Sequence, residues 1–149
     1  MYYVRRFTLQ APHSTPKEPT AMRKFITEGE GLPKWASPIS HAVVVNNICY
    51  LSGQLSIGAS GEYIPGTERY EADRAFGNLF CAVRAAGFAL EDITFIDLAF
   101  ADLADLPQVN EVYTKLFAEG RRPARTIYQA AALPYGGRVK IMGAAIKDA

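Results

Sequence analysis

The chain has 149 residues, 49% of them hydrophobic, and a formal net charge of +1. This length fits one domain with a core large enough to fold alone, and near-neutral charge argues against a dedicated nucleic-acid binder. No apolar run reaches the roughly 18 residues that span a bilayer. No hydrophobic run follows Arg5 and Arg6, as it would in a secretory signal. We therefore expect a cytoplasmic protein that has no membrane partner.

The two cysteines, Cys49 and Cys81, lie far apart in the sequence, with no second pair and no histidine cluster beside them. A disulfide framework or a zinc site would need more ligands than these. The sequence therefore predicts two buried, reduced thiols and no metal site.

Residues 1–20 contain Pro12, Pro16 and Pro19 among Ser, Thr, Lys and Glu. Ordering such a segment costs conformational entropy and buries little surface, so we predict a mobile N-terminal arm. The more apolar stretch 1–9 leaves an edge strand as the minor alternative. The rest of the chain, 21–149, is predicted to form a single domain.

Three short strands are predicted next. Segment 22–27 alternates weakly between apolar and polar residues, and 39–45 and 48–54 flank the pair Asn46-Asn47. Because asparagine tolerates a left-handed backbone better than most residues, this pair suits a tight turn. We interpret the second and third segments as a hairpin.

Two later segments carry apolar side chains at helical spacing. The first, 67–86, begins at a threonine suited to cap a helix and ends before Gly87. The second begins at Asp105 as a candidate N-cap, has Pro107 in its first turn and ends at Gly120. The sequence predicts two amphipathic helices.

The remaining strands lie between and after the helices. Segment 93–100 is almost continuously apolar, which is typical of a central strand buried on both faces. Segments 124–131 and 138–146 flank a turn that contains Pro134 and two glycines. We interpret these last two segments as a second hairpin.

The order of elements indicates an α+β domain, a mixed β-sheet with two helices on one face. The last hairpin carries several apolar residues that a third helix would have to shield: Ile127, Tyr128, Ala130, Ile141 and Met142. An apolar sheet face is normally buried against another subunit, so we expect an oligomer.

Four blocks of sequence, in this order, resemble the YjgF/RidA family of small trimeric proteins, many of which hydrolyse reactive enamines and imines. The blocks are Tyr50-Leu51-Ser52-Gly53-Gln54, Asp102-Leu103 with Val109-Asn110-Glu111-Val112-Tyr113, Pro123-Ala124-Arg125, and Ala132-Leu133-Pro134. The resemblance covers roughly 38–146. It implies a chorismate-mutase-like fold and a homotrimer with three clefts at the subunit boundaries.

The resemblance also implies a site. In similar family members the arginine at the position of Arg125 holds the substrate carboxylate, and Ser52 and Asn110 match other cleft positions. A planar guanidinium grips a carboxylate with two hydrogen bonds, which lysine does less specifically. Hydrolysis then needs a water near the C=N carbon and a proton for the leaving nitrogen, and it needs no cofactor.

Three expected cleft positions depart from the family pattern. Counting from Leu133-Pro134, the family's glutamate, often credited with positioning the water, falls on Lys140. A tyrosine common after the first proline is Ile39 here, and the cysteine two residues past the arginine is Ile127. The chain therefore keeps the carboxylate-binding arginine and loses several deaminase features, and we expect Ile39, Ile127 and Lys140 to contact substrate.

Lys140 also bears on substrate choice. If the last hairpin leaves Ala131 opposite Arg138, alternation puts Lys140 on the face of Arg125. Two cations on one face would favour an acid with two carboxylates over 2-iminopropanoate.

Each candidate residue also has a purely structural interpretation. For Arg125, a ligand is favoured over an ion pair between subunits. Ser52 is evenly balanced between a cleft role and a bond to nearby backbone, whereas Asn110 more often serves loop backbone. His41 is favoured as a packed histidine over a general base.

The function that follows is deamination of a carboxylate-bearing enamine or imine, for example a 2-imino acid or a 2-aminomuconate-like acid. A non-catalytic trimer that binds small carboxylates is the alternative. RNA cleavage is weaker, because the basic residues lack interleaved aromatics and an acid–base pair. The basic residues are Arg121, Arg122, Arg125, Arg138 and Lys140. Arg121 and Arg122 also suit the negative end of the second helix.

Overall fold

The computed structural model describes residues 22–149, so the predicted arm and the alternative strand within it lie outside the described residues. All six predicted strands and both predicted helices are present. They are β1 (Lys24–Ile26), β2 (Ala42–Val45), β3 (Ile48–Gln54), α1 (Glu68–Ala85), β4 (Ile93–Phe100), α2 (Leu106–Leu116), β5 (Ala124–Gln129) and β6 (Val139–Ile146).

Helix α1 forms where the apolar period predicts it. The Thr67 side chain accepts a hydrogen bond from the Tyr70 backbone N–H at 3.2 Å, which caps the first turn. Gly87 follows the helix with a φ of +82°, the left-handed conformation that glycine adopts readily. The apolar face of α1 lies in the core, where Phe76 and Leu79 are fully buried.

Helix α2 begins directly after Asp105 and carries Pro107 in its first turn, as predicted. The Asp105 side chain makes no capping hydrogen bond, however. Its carboxylate instead lies 3.2 Å from Nη1 of Arg138, in the segment before β6. Asp105 therefore forms an ion pair and not the predicted side-chain cap. The aromatic side chains of Phe76, Tyr113 and Phe117 pack together where α1 meets α2.

The six strands form one mixed sheet in the order β1-β2-β3-β6-β4-β5. The β2–β3 hairpin is confirmed, and Asn46 in its turn has a φ of +54°. The predicted β5–β6 hairpin is wrong, because β4 lies between them, parallel to β5 and antiparallel to β6. Helix α2 crosses from β4 to the parallel strand β5, so β5 occupies one edge of β4 and β6 returns to the other.

The faces of the sheet follow from this register. Ile96, Leu98 and Phe100 of β4 are fully buried beneath the helices. Arg125 lies beside Ile96, so it belongs to the helix-covered face. Lys140 lies beside Ala99, one position out of phase, so it belongs to the opposite face. The prediction that Lys140 shares a face with Arg125 is therefore wrong.

The same register changes which residues belong to the uncovered face, the face of the sheet on which no helix packs. Ile127 and Ile141 both lie beside Leu98 on the helix side and do not contribute to it. The large apolar residues that remain exposed on the other side, with their exposed fractions, are Phe25 (61%), Tyr50 (55%), Tyr128 (44%), Ile146 (41%) and Met142 (38%). They come from four of the six strands, β1, β3, β5 and β6, so this face is broad and apolar.

Both cysteines are free thiols. Cys49 is fully buried under the helices, and burial raises its pKa to about 11. Cys81 is only half-buried, so the expectation of two buried thiols holds for Cys49 alone. None of the helices between residues 22 and 149 is both long and apolar enough to cross a membrane.

Candidate functional site

Arg125 lies in a cleft between edge strand β5 and helix α2. Asn110 and Tyr113 are three residues apart on α2 and therefore present their side chains to the same side. Nη1 of Arg125 donates to Oδ1 of Asn110 at 2.8 Å. The guanidinium carbon lies 4.7 Å from the centre of the Tyr113 ring, a cation–π contact. The cleft has a volume of about 390 Å³ and is also lined by Thr114, Arg122 and Pro123.

The guanidinium of Arg125 has no carboxylate partner among the described residues. The ion pairs found there join Arg69 to Glu68 and Glu111, and Arg138 to Asp105. Asn110 accepts one N–H of Arg125 and holds it in place, while the remaining donors have no hydrogen-bond partner within 22–149. The arrangement can therefore accept an anion without first breaking an ion pair.

A second cavity, of about 290 Å³, lies at the other end of the sheet. Trp35, Ile39, Tyr135 and Lys140 line it together with small and aliphatic residues. Lys140 is the charged residue among the lining residues. Its stem lies over Gly53, where a Cβ would come within 2.9 Å of Lys140 Cδ, so a larger residue at position 53 would displace the lysine stem.

Tyr135 has an unusual backbone at the edge of this cavity. Its φ is +63°, which is strained for an aromatic residue, and its side chain is 58% exposed. The Tyr135 ring stacks on the Tyr63 ring with centres 6.2 Å apart and planes 12° apart. Because Tyr135 directly follows Pro134 in the predicted turn, the sequence alone favours an ordinary surface residue and does not indicate its position at the cavity.

Tyr63 is in turn anchored to a buried carboxylate, Glu71 of α1, which is 1% exposed. Oε1 of Glu71 accepts from the Tyr63 hydroxyl at 2.5 Å and from the Gly66 N–H at 3.2 Å. Oε2 accepts from the Arg138 backbone N–H at 2.9 Å. Burial, and then the bond to Glu71, raises the pKa of Tyr63 to about 12, so its hydroxyl remains a donor.

Glu71 therefore joins α1 to the loops on both sides of the cavity. From the sequence alone, Glu71 is a carboxylate in the first turn of α1, where a negative charge suits the positive end of the helix. Its spacing carried a further signal, because Glu71 lies four residues before Ala75 and eight before Leu79, which are both on the buried face of α1.

His41 is a packed histidine, as favoured from the sequence. It is 2% exposed, and Nε2 lies 2.9 Å from the Pro33 carbonyl oxygen. Nδ1 lies 3.3 Å from the amide nitrogen of Gln54, which can only donate, so this network assigns the neutral tautomer with its proton on Nε2. Burial lowers the pKa of His41, although the bond to Pro33 acts in the opposite direction. His41 therefore has no free nitrogen for proton transfer.

The predicted site residues fall into two groups within one chain. Arg125 and Asn110 lie in the first cleft, and Ile39 and Lys140 line the second cavity. The other two predicted residues lie elsewhere. The Ser52 hydroxyl donates to the Ser40 carbonyl oxygen at 2.6 Å, and Ile127 is half-buried against the core. Nowhere in 22–149 do three or more His, Cys, Asp or Glu side chains cluster in a way that could hold a metal ion.

Comparison with known proteins identifies the family. The model of the family described as endoribonuclease L-PSP matches residues 31–147. A Bos taurus protein named 2-iminobutanoate/2-iminopropanoate deaminase is 39% identical over 127 residues, which are 85% of this chain and 91% of the relative. The Homo sapiens protein of the same name is 36% identical over the same shares of both chains.

Solved structures agree with this assignment. RidA from an Antarctic Psychrobacter species is 32% identical, with a TM-score of 0.77 over 83% of this chain and all of that one. Escherichia coli TdcF, solved with bound serine, is 29% identical, with a TM-score of 0.76 over 84% of this chain and all of that one. The matched family model, the named relatives and the shared fold together show that this chain belongs to the YjgF/RidA family, the endoribonuclease L-PSP family.

Proposed function

We propose that this protein hydrolyses the C=N bond of small imines that carry a carboxylate, including imines formed by tautomerisation of enamines, in a cleft between the subunits of a homotrimer. The observation that carries this proposal is Arg125, a guanidinium oriented by Asn110 and free of carboxylate partners among the described residues. The bovine and human relatives, which are named imine deaminases and are 36–39% identical to this chain, support the reaction. The serine bound to TdcF supports a small ligand with a carboxylate.

The position of the site follows from the separation of the two groups. Arg125 and Lys140 lie on opposite faces of one sheet, three residues apart in register, which is roughly 10 Å along the strands. They cannot contact one small ligand within a single chain. A site that uses both groups needs Arg125 of one subunit and the Lys140 cavity of the next.

The uncovered sheet face supplies a surface for such an assembly. Tyr50, Tyr128 and Met142 are exposed on it in one chain, and apolar patches of this breadth are normally buried between subunits. A closed ring places the same two half-sites at every boundary. That the ring has three subunits is inferred from the family resemblance.

The chemistry needs two steps. Water adds to the C=N carbon of the imine and gives a carbinolamine. The C–N bond then breaks as the nitrogen takes up a proton and leaves as ammonia, while the hydroxyl loses its proton and forms a 2-oxo acid. We assign Arg125 the substrate carboxylate and Lys140 a hydrogen bond to the reacting nitrogen or hydroxyl, since its ammonium group can donate.

A second candidate function is a trimer that binds small carboxylates without turning them over. It is favoured by the lining of the Lys140 cavity, where the described residues provide neither a carboxylate nor an imidazole with a free nitrogen that could activate water. RNA cleavage meets the same objection, because it also requires an acid–base pair.

The decisive assay follows the release of ammonia and 2-oxo acid from freshly generated 2-iminopropanoate and 2-iminobutanoate. We expect the protein to raise the rate well above spontaneous hydrolysis, in proportion to its concentration. Equal rates with and without protein, in a sample that binds 2-oxobutanoate, would contradict the proposal and favour the non-catalytic binder.

A further inference from the structure

We propose that the Arg125 cleft is a two-anion site, in which Arg122 binds a second carboxylate, so that the preferred substrates are imines of dicarboxylic acids. This inference rests on the proposed function and specifies its substrate class. From the sequence, Lys140 is predicted as the second cation beside Arg125, on the basis of a hairpin that the structure does not contain. In this inference Arg122 is the second cation.

The two arginines line one cleft and are each held by one nitrogen. Nε of Arg122 lies 3.4 Å from the Phe117 carbonyl oxygen at the end of α2. Nη1 of Arg125 is bound by Asn110. The two terminal nitrogens of Arg122, and Nε and Nη2 of Arg125, have no hydrogen-bond partner within 22–149. Each side chain is thus positioned by the protein and keeps donors for a ligand.

The charge of the cleft is uncompensated. Among its lining residues there is no carboxylate within the described part of the chain. Glu111, on the same helix as Asn110, is engaged by Arg69 at 2.7 Å. Two like charges that share a small cleft repel each other unless anions lie between them, so this pair favours a ligand with more than one negative group.

Tyr113 is a further polar residue of the cleft. Tyr113 lines the cleft and is 4% exposed, and its hydroxyl is buried with no hydrogen-bond partner among residues 22–149. Burial raises the pKa of Tyr113, while the charges of Arg125 and Arg122 oppose that rise. A buried donor without a partner costs free energy, and this donor belongs to a residue that lines the cleft of the two arginines.

Arg122 also has a structural interpretation, since its contact with Phe117 suits the negative end of α2. The two roles predict different results. A helix-capping arginine affects stability and leaves ligand choice unchanged. A carboxylate-binding arginine changes the preference between ligands with one and two carboxylates.

The test measures binding of 2-oxoglutarate, which has two carboxylates, and 2-oxobutanoate, which has one, by calorimetry. We expect the parent to prefer 2-oxoglutarate. Arg122→Ala should weaken 2-oxoglutarate binding by about tenfold and 2-oxobutanoate binding by no more than about twofold, since one charged hydrogen-bonding group is lost. Arg121→Ala removes the same charge one residue away, outside this cleft, and should change neither.

A parent that prefers 2-oxobutanoate would overturn the inference, and so would an Arg122→Ala variant whose preference is unchanged. Arg125→Ala separates this failure from that of the proposed function. If Arg125→Ala loses both ligands while Arg122→Ala changes no preference, only the two-anion inference falls. If Arg125→Ala binds both ligands as the parent does, the proposed site itself is contradicted.

Discussion

The Arg125→Ala variant should lose nearly all binding of 2-oxobutanoate and nearly all deamination. Arg125, to which we assign the substrate carboxylate, is exposed in the single chain and is buried in the proposed assembly by the neighbouring subunit. Removing one partner of a charge-assisted pair that is desolvated in this way typically costs about 2–5 kcal/mol. Arg125→Lys should fall between parent and alanine variant, because a point charge replaces a donor that forms two parallel bonds. Calorimetry with the oxo acid and the deamination rate would measure both effects.

Arg84 provides a matched control. It is an exposed arginine in the last turn of α1 with no ion pair in the described structure, so Arg84→Ala removes the same charge at a distance from both cavities. Its binding and turnover should equal those of the parent. Parent-like binding by Arg125→Ala would place the carboxylate elsewhere.

The largest effect on stability is expected at Glu71. Glu71→Ala removes the acceptor of three donors, the Tyr63 hydroxyl and the backbone N–H groups of Gly66 and Arg138. Because the site is buried and the smaller side chain also leaves a void, the free energy of unfolding should fall by about 3–5 kcal/mol. Denaturant unfolding would measure it.

Glu68→Ala is the corresponding control, since Glu68 lies in the same helical turn and its half-buried carboxylate is 3.8 Å from the exposed Arg69. It should lose no more than about 1 kcal/mol. Equal losses for the two variants would show that the charge in the first turn of α1 matters and the buried network does not.

Local pattern was sufficient to identify the elements of this fold. The apolar spacing of α1, the asparagine turn between β2 and β3, and the apolar run of β4 each determine a structure from neighbours in sequence. The partner of β5 could not be found in this way. The glycines after Pro134 do mark a turn, but strand pairing depends on contacts between distant segments, and β4 takes the place between β5 and β6.

The site was predictable to a similar extent. Two separate sequence blocks named Arg125 and Asn110 as site residues, and the structure joins these two side chains at 2.8 Å. The predicted relation of Lys140 to Arg125 was wrong because the predicted hairpin was wrong. A strand placed in the wrong register has its side chains on the opposite faces of the sheet. Glu71 and Tyr135 were missed because their roles come from packing between loops that are distant in sequence.

Mixing two inactive variants tests the shared cleft most directly. Arg125→Ala removes the contact with the substrate carboxylate. Ile39→Glu places a negative charge at the exposed Ile39 position of the other cavity, where it repels the anionic substrate. Each variant alone should be inactive. In a ring of three, every mixed trimer contains one boundary at which both half-sites are intact, so a co-refolded equal mixture should recover roughly a quarter of the parent deamination rate. No recovery, in a mixture shown to contain mixed trimers, would mean that each site lies within one chain and would contradict the account.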